Sequence, residues 1–193
     1  MGLKGDFMYT LFIDTHYKDI ILFLFKDNKL LDKLELLNVK STSVETMPAL
    51  ISLLERNNIK PNDLNKIAVC IGPGSFTGTR IGVTIAKTLA YSLNIPIVSL
   101  TSIDLVGLNL DKKSYVSVLE NNGAFIALYD KKIIGEIKYL KKSEYELFKN
   151  DNNVIENIDI SFDKLIAFIN NLKEEKVHDV NPIYVKSIEA LKW

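Results

Sequence analysis

The chain has 193 residues, in which 24 lysines and arginines balance 24 aspartates and glutamates. A net charge of zero excludes a protein that holds nucleic acid through its overall electrostatic field alone. The single cysteine, Cys70, excludes an internal disulfide and favours a reducing, cytoplasmic setting, and no apolar run is long enough to span a membrane.

The first elements in chain order are three strands, predicted at Tyr9 to Ile13, Asp19 to Phe25 and Leu30 to Leu37. A helix follows, for which Ser43 is the expected N-cap. Pro48 lies inside this helix and is expected to kink or delay it, because proline lacks a backbone donor. One helical face carries the apolar residues Val44, Met47, Leu50, Ile51 and Leu54.

A strand, a glycine-rich loop and a long helix come next. The apolar run Ile67 to Ile71 predicts a buried strand, and the helix after the loop is expected to end near Asn94. The segment Pro96 to Leu100 predicts the next strand. Apolar residues with helical spacing mark one face of the long helix: Ile81, Ile85, Leu89 and Leu93.

The second half of the chain is predicted to contain a short helix near Thr101 and a second set of strands. These strands are predicted at Tyr115 to Leu119, Gly123 to Tyr129 and Ile133 to Leu140. After Lys141 the chain is polar, and it contains a helix at Ser161 to Leu172 and a short strand at Pro182 to Lys186. We therefore expect a first lobe over residues 1–100 and a smaller, divergent second lobe over residues 101–193.

The loop from Gly72 to Gly78, with the sequence GPGSFTG, is the most informative segment. A glycine-rich turn that leads from a strand into a helix places N–H groups and the helix dipole at one spot, which suits an anion or a close neighbour. The Walker pattern fails because Thr79-Arg80 follows Gly78, and the dinucleotide fingerprint fails because Thr77 replaces its third glycine. Both phosphate binding and close packing stay open.

The segments GPGSFTGTRIG, at residues 72–82, and AKTLAYSLNIPIVSLTSID, at residues 86–104, resemble the TsaB family, also called YeaZ, of the actin-like ATPase superfamily. The resemblance extends more loosely to Met47-Pro48 and to Ile13-Asp14-Thr15. It implies an α/β fold of the actin-like (ASKHA, ribonuclease H-like) type with two lobes. The first lobe would have the order β-β-β-α-β-α-β, and the second lobe would be reduced.

The same resemblance implies a function. A TsaB protein is a non-catalytic partner of TsaD, which transfers a threonylcarbamoyl group to N6 of the adenosine next to the anticodon in tRNAs that read ANN codons. TsaE, an ATPase, takes part through the complex. We expect indirect contact with tRNA, a homodimer when the chain is alone, and no membrane association.

Docking to TsaD would use the helices at Ser43 to Arg56 and Thr79 to Leu93. The alternative for the second helix is complete burial within the fold. We expect Ala86→Glu or Ala90→Glu to abolish binding while the chain stays folded. The candidate interface residues are Met47, Leu50, Ile51, Leu54, Arg80, Val83, Ala86, Lys87, Ala90 and Tyr91.

A nucleotide site is a further implication of the resemblance, because actin-like ATPases place an acidic residue after the first strand to position the metal ion and the phosphates. No intrinsic cofactor is expected, and ATP or ADP would bind in the complex with TsaD. Asp14 has the alternative role of accepting hydrogen bonds from turn N–H groups, and Arg80 the alternative of a solvated helix face. The candidate nucleotide residues are Asp14, Thr15, Gly72, Gly74, Ser75 and Gly78.

No catalytic residue or metal site is predicted. The only histidines, His16 and His178, form neither a His-x-x-x-His motif nor an evident cluster with carboxylates. Cys70 is expected to be a buried apolar filler with a raised pKa. The formerly proposed glycoprotease activity has no support in these residues. The rival functions are a stand-alone nucleotide-binding phosphotransferase and a homodimeric interaction module.

Overall fold

A computed structural model describes residues 7–156 and 159–185, which form two β-sheets. The first sheet has the strand order β3-β2-β1-β4-β5, and the second has the order β8-β7-β6-β9. The strands of the first sheet are β1 (Tyr9–Asp14), β2 (Ile20–Lys26), β3 (Lys29–Leu36), β4 (Leu64–Cys70) and β5 (Ile97–Leu100). Those of the second sheet are β6 (Ser114–Glu120), β7 (Gly123–Tyr129), β8 (Ile133–Lys141) and β9 (Val154–Ile155).

Five α-helices and one 3-10 turn complete the described residues. The turn spans Pro61–Asp63 and leads into β4. No helix within residues 7–156 and 159–185 is both long and apolar enough to cross a membrane. The helices are α1 (Thr42–Arg56), α2 (Phe76–Leu93), α3 (Ser102–Gly107), α4 (Lys142–Asp151) and α5 (Phe162–Asn171).

Strand β1 lies at the centre of the first sheet and is buried on both of its faces. It pairs antiparallel with β2 and parallel with β4, with Ile13 opposite Val69. Successive side chains of a strand point to opposite faces, so Leu11 and Ile13 enter one core while Phe12 enters the other. The parallel pairing of β1 and β4 brings the carboxyl ends of both strands to the same edge of the sheet.

Each face of the first sheet is covered by helices. Helices α1 and α2 pack side by side over one face, where Leu53 and Ala86 are fully buried. Helix α5 covers the other face with Leu165 and Ile169. The burial of these apolar side chains is the main stabilising term for both layers.

The chain returns to the first sheet after the second sheet is complete. Besides α5, the segment that follows it contacts this sheet, because the Glu175 N–H donates to the Ile97 oxygen at 2.9 Å and Val180 is buried in the core beneath α1 and α2. The division of the chain after residue 100 stays a prediction, but the packing of residues 162–180 belongs to the first sheet.

The predicted order β-β-β-α-β-α-β is confirmed, and each strand predicted up to residue 140 is present with bounds shifted by at most three residues. Pro48 lies within α1, where the expected kink stays a prediction. Two details are wrong. The N-cap of α1 is Ser41 rather than Ser43. The predicted strand near the C-terminus is absent over residues 182–185, and Lys186 lies outside the described residues. Helix α4 and strand β9 were not predicted.

Candidate functional site

The glycine-rich loop is packed against the turn that follows β1. The Ser75 N–H donates to the His16 oxygen at 2.6 Å, and Thr15 Oγ1 donates to the Gly78 oxygen at 2.6 Å. A Cβ atom at Gly74 would overlap the His16 carbonyl oxygen, and one at Gly78 would overlap that of Thr15. Close packing, one of the two roles left open by the sequence, is therefore a reason for glycine at both positions.

Other groups of the loop are also bonded within the fold. Ser75 Oγ accepts from the Gly78 N–H at 3.2 Å, which makes Ser75 the N-cap of α2. The Ser102 N–H donates to the Gly72 oxygen at 2.9 Å, and Ser102 Oγ donates to the Pro73 oxygen at 2.7 Å. These bonds fix the loop between the turn after β1 and the start of α3.

Asp14 lies at the carboxyl end of β1 and binds the turn, as its alternative role predicted. Asp14 Oδ1 accepts from the His16 N–H at 2.9 Å and lies 2.7 Å from His16 Nδ1. On the neighbouring strand β4, Cys70 is buried beside this pair. The ligand atoms of Asp14, His16 and Cys70 all lie within 4.8 Å of one another. The expectation that no histidine clusters with a carboxylate is therefore wrong.

Burial and the charges within this cluster shift the pKa values of Asp14 and His16 in opposite directions. Burial alone would raise the pKa of Asp14, but the charge and hydrogen bonds of His16 hold that pKa below its usual value. Burial alone would lower the pKa of His16, but the Asp14 carboxylate raises it. Burial, and to a smaller extent the nearby Asp14 charge, raises the pKa of the Cys70 thiol. In the metal-free protein this thiol is therefore protonated, as expected for a buried cysteine.

A cleft of about 320 Å³ opens above the cluster, between the edge of the first sheet and the second sheet. Asp14 and His16 lie in its wall together with two further carboxylates, those of Asp19 and Glu156. Lys149 lies outside the cleft and pairs with Glu156 at 2.6 Å. Among the described residues that line the cleft there is no lysine or arginine. Its charge therefore suits a cation better than a bare phosphate.

Half of the residues predicted to contact a partner are buried inside the fold. Their side chains lie in the core beneath α1 and α2 and are at most 3% exposed, so the alternative of burial holds for them. A partner cannot contact these atoms without unfolding the helices. For the same reason we now expect Ala86→Glu and Ala90→Glu to destabilise the fold itself. The five buried residues are Leu50, Leu54, Val83, Ala86 and Ala90.

The other predicted docking residues remain accessible to different degrees. Met47 and Ile51 on α1 are 40% and 47% exposed, and Tyr91 on α2 is 69% exposed. Lys87 is half-buried, and its Nζ donates to the Val180 oxygen at 2.8 Å and the His178 oxygen at 3.3 Å.

Arg80 is exposed but bound to aromatic side chains of its own chain. Its guanidinium carbon lies 3.6 Å from the centroid of the Phe76 ring, and its Nε donates to the Tyr184 hydroxyl at 2.6 Å. The Phe76 and Tyr184 rings are 5.3 Å apart. This contact, which spans 104 residues of sequence, could not be foreseen from the helix alone. The contact of Arg80 with a partner or an anion stays a prediction.

Comparisons with known proteins give the family. A family model described as "TsaD: tRNA N6-adenosine threonylcarbamoyltransferase" matches residues 38–119. The Bacillus subtilis (strain 168) tRNA threonylcarbamoyladenosine biosynthesis protein TsaB is 54% identical over 70 residues, 36% of this chain and 31% of that protein. The Mycoplasma pneumoniae uncharacterized protein MG208 homolog is 31% identical over 194 residues, 92% of this chain and 95% of that protein. The chain belongs to the TsaB/YeaZ family.

The fold of the TsaB/YeaZ family is confirmed by a solved structure, YeaZ from Pseudomonas aeruginosa. It superposes with a TM-score of 0.72 over 92% of this chain and 99% of that chain, at 14% sequence identity. The predicted actin-like fold class is therefore confirmed. The alignment with the B. subtilis TsaB covers less than a third of that protein, whereas the M. pneumoniae relative is matched over almost its full length.

Proposed function

We propose that this protein acts in tRNA threonylcarbamoyladenosine biosynthesis as the partner subunit of a TsaD-type transferase. Membership of the TsaB/YeaZ family and the match of residues 38–119 to the TsaD family model support the assignment. The observation that carries the docking role is the apolar outward face of α1, which lies inside that matched segment. Val44, Met47 and Ile51 follow one another at spacings of three and four residues, and each is at least 40% exposed.

The partner has to cover an apolar stripe rather than a charged one. Residues three and four apart on a helix are neighbours, so the three α1 side chains form a continuous ridge. Helix α2 lies beside α1 over the same face of the sheet and adds Tyr91 on its outer side. Large exposed apolar side chains grouped in this way are typical of protein interfaces, where aromatic and methionine residues are enriched.

In this proposal the transferase subunit performs the chemistry, and this chain contributes docking and activation without a catalytic residue of its own. The threonylcarbamoyl group is transferred to N6 of the adenosine next to the anticodon in tRNAs that read ANN codons. TsaE joins through the complex, and tRNA is contacted indirectly. ATP or ADP would be held only in the complex. The carboxylates in the cleft wall support that restriction, because they repel phosphate unless a cation or a partner supplies positive charge. A homodimer in the absence of the partner would use the same α1 ridge.

Reconstitution tests the proposal. Cognate TsaD, TsaE and the enzyme that forms threonylcarbamoyl-adenylate are mixed with threonine, bicarbonate, ATP and unmodified tRNA, with and without this chain. The modified nucleoside is measured by mass spectrometry. We expect modification only when the chain is present. Failure with cognate partners, or nucleotide turnover by this chain alone, would contradict the assignment and favour a stand-alone phosphotransferase.

The docking surface is tested with Met47→Glu and Ile51→Glu in the same assay and in a binding titration with cognate TsaD. A charge in the middle of a desolvated apolar interface should weaken binding about tenfold or more. Leu147→Glu is the matched control, because Leu147 is an apolar residue of α4 that is 67% exposed. Equal losses for all three variants, or none for the two α1 variants, would rule out the α1 ridge as the docking surface.

A further inference from the structure

The carboxyl ends of β1 and β4 bring together three side chains that are far apart in sequence. Ile13 lies opposite Val69 in the parallel pair, so the residues that follow them, Asp14 and Cys70, are also neighbours. The turn after Asp14 folds the His16 ring back onto the carboxylate, with Nδ1 at 2.7 Å from Oδ1. An oxygen, a nitrogen and a sulfur atom therefore converge within 4.8 Å beside the cleft, whose wall includes Asp14 and His16.

We propose that Asp14, His16 and Cys70 form a binding site for a divalent transition-metal cation of the zinc type. In a tetrahedral zinc site the metal–ligand bonds of about 2.0–2.3 Å place the ligand atoms roughly 3.3–3.8 Å apart. The three atoms lie within 4.8 Å of one another, and the Asp14 Oδ1–His16 Nδ1 distance is 2.7 Å. For the metal to enter, the His16–Asp14 pair has to open by less than about 1 Å. The proton shared by this pair and the proton of the Cys70 thiol are both released to solvent, so binding should weaken as the pH falls.

The mixture of donors selects the metal. A thiolate and an imidazole favour zinc and its neighbours among the transition metals, whereas magnesium and calcium prefer sites built from oxygen alone. The backbone N–H of His16 already bonds to Asp14 Oδ1 at 2.9 Å, which orients the carboxylate as outer hydrogen bonds do in known zinc sites. Magnesium, the cation that accompanies nucleotide phosphates, is a poor fit to the buried sulfur of Cys70.

Access to the three ligands is asymmetric. Cys70 is 1% exposed and forms the closed side, while the His16 side chain, 18% exposed, and Asp14 face the cleft. A metal would enter from the cleft and keep its fourth position directed there, open to water or to a ligand, as in zinc sites with three protein ligands. The Asp19 carboxylate in the same wall adds attraction for a cation. The site is independent of the docking surface on α1.

The composition of the chain makes the test unambiguous, because it contains one cysteine and two histidines. The full chain, reduced, free of metal and without a polyhistidine tag, is titrated with Co²⁺ as a spectroscopic probe for Zn²⁺. A thiolate-to-cobalt charge-transfer band can arise only from Cys70. We expect the band to saturate at one Co²⁺ per chain and to disappear when Zn²⁺ is added.

Variants assign the ligands. Cys70→Ser should abolish the band, and His16→Gln should weaken binding about tenfold or more, since even the loss of a group that only orients a ligand costs that much. His178→Gln is the matched control and should bind like the wild type, because the exposed His178 contacts Tyr91 on α2 instead. Circular dichroism is used to check that each variant is folded.

The wild-type titration alone can overturn the proposal. Absence of a charge-transfer band, or saturation at several equivalents without one, would mean that cations bind only adventitiously at surface carboxylates. A band that His16→Gln leaves unchanged in a folded protein would remove His16 from the site and overturn the three-ligand assignment. None of these outcomes depends on TsaD or tRNA, so they are separate from the test of the proposed function.

Discussion

The hydroxyl of Thr15 donates a 2.6 Å hydrogen bond to the carbonyl oxygen of Gly78, and it thereby ties the end of β1 to the first turn of α2. The two backbones approach so closely that a Cβ on Gly78 would overlap the Thr15 oxygen. Glycine is therefore required at this position by a neighbour within the same chain. The loop has a structural role whether or not an anion ever binds near it.

Gly78→Ala should destabilise the protein by about 3 kcal/mol, because a methyl group has to displace backbone rather than a flexible side chain. Helix propensity alone predicts the opposite sign, since alanine is favoured over glycine in a helix by about 1 kcal/mol. Urea unfolding measures the difference. Thr77→Ala, at an exposed neighbouring position, is the control and should change stability by less than about 0.5 kcal/mol. A stabilised Gly78→Ala variant would show that the loop can move away from Thr15.

Ala86→Glu should unfold the chain rather than only prevent docking. Ala86 is fully buried against the first sheet, and an unpaired buried carboxylate costs more than about 4 kcal/mol. Thr88→Glu places the same charge on the exposed side of α2 and should leave the thermal midpoint nearly unchanged. Circular dichroism and thermal melts compare the two. If Ala86→Glu melted like the wild type, α2 would have to pack against the sheet with a different face.

Acid should remove the contribution of Asp32 to stability. Burial alone would raise the pKa of this carboxyl, but the hydrogen bonds from Arg56 and Asn57 together hold it below its usual value. A lowered folded-state pKa gives stability that is present above the unfolded-state value and is lost as the pH falls through the folded-state value. Arg56 Nε and Asn57 Nδ2 both lie 2.6 Å from Asp32 Oδ2.

Asp32→Asn should therefore lower the free energy of unfolding by about 1 kcal/mol at pH 7, a discounted value for a partly exposed pair. Below the folded-state pKa the wild type and the variant should have equal stability. Urea titrations at pH 7 and at the lowest pH where the protein is folded measure this difference. Asp111→Asn, at a side chain that is 93% exposed, should show no such pH dependence. A constant difference between Asp32→Asn and the wild type at all pH values would contradict the ion-pair explanation.

Lys87→Met should loosen the segment that follows α5. The Lys87 ammonium donates to two carbonyl oxygens of that segment, and methionine keeps the aliphatic stem without the donors. We expect faster hydrogen exchange at the Ile183 amide, which bonds to the Ile71 oxygen at 2.9 Å, and a loss of about 1 kcal/mol in local stability. Lys173→Met, an exposed lysine in the same part of the chain, is the control. Unchanged exchange at Ile183 would mean that the buried Val180 holds the segment by itself.

Local patterns were sufficient to predict the strands and the long helices, because continuous apolar runs and helical spacing are properties of neighbouring residues. Helix α4 was missed because it is mostly polar and buries only Tyr145. The docking residues predicted on the buried side of α2 were wrong for a different reason. The small residues Gly82, Ala86 and Ala90 allow the helix to approach the sheet closely, whereas the larger Ile85 and Leu89 fill the sides and stay partly exposed.

The cluster of Asp14, His16 and Cys70 could not be predicted because Asp14 and Cys70 lie on different strands. Asp14 and His16 are close in sequence, but Cys70 joins them only through the parallel register of β1 and β4. Single-sequence patterns contain no information on register between strands that are so far apart along the chain. The Arg80–Tyr184 contact was missed for the same reason.

The return of α5 to the first sheet has a consequence for synthesis on the ribosome. One face of that sheet, with Phe12, Phe23 and Phe25, is complete only when Leu165 and Ile169 have been made. A nascent chain that ends before residue 162 therefore presents a row of uncovered phenylalanines, although all five strands beneath them already exist. Exposed apolar surfaces of this kind are bound by chaperones. The first sheet is synthesised early, but one of its apolar faces is among the last parts of the molecule to be buried.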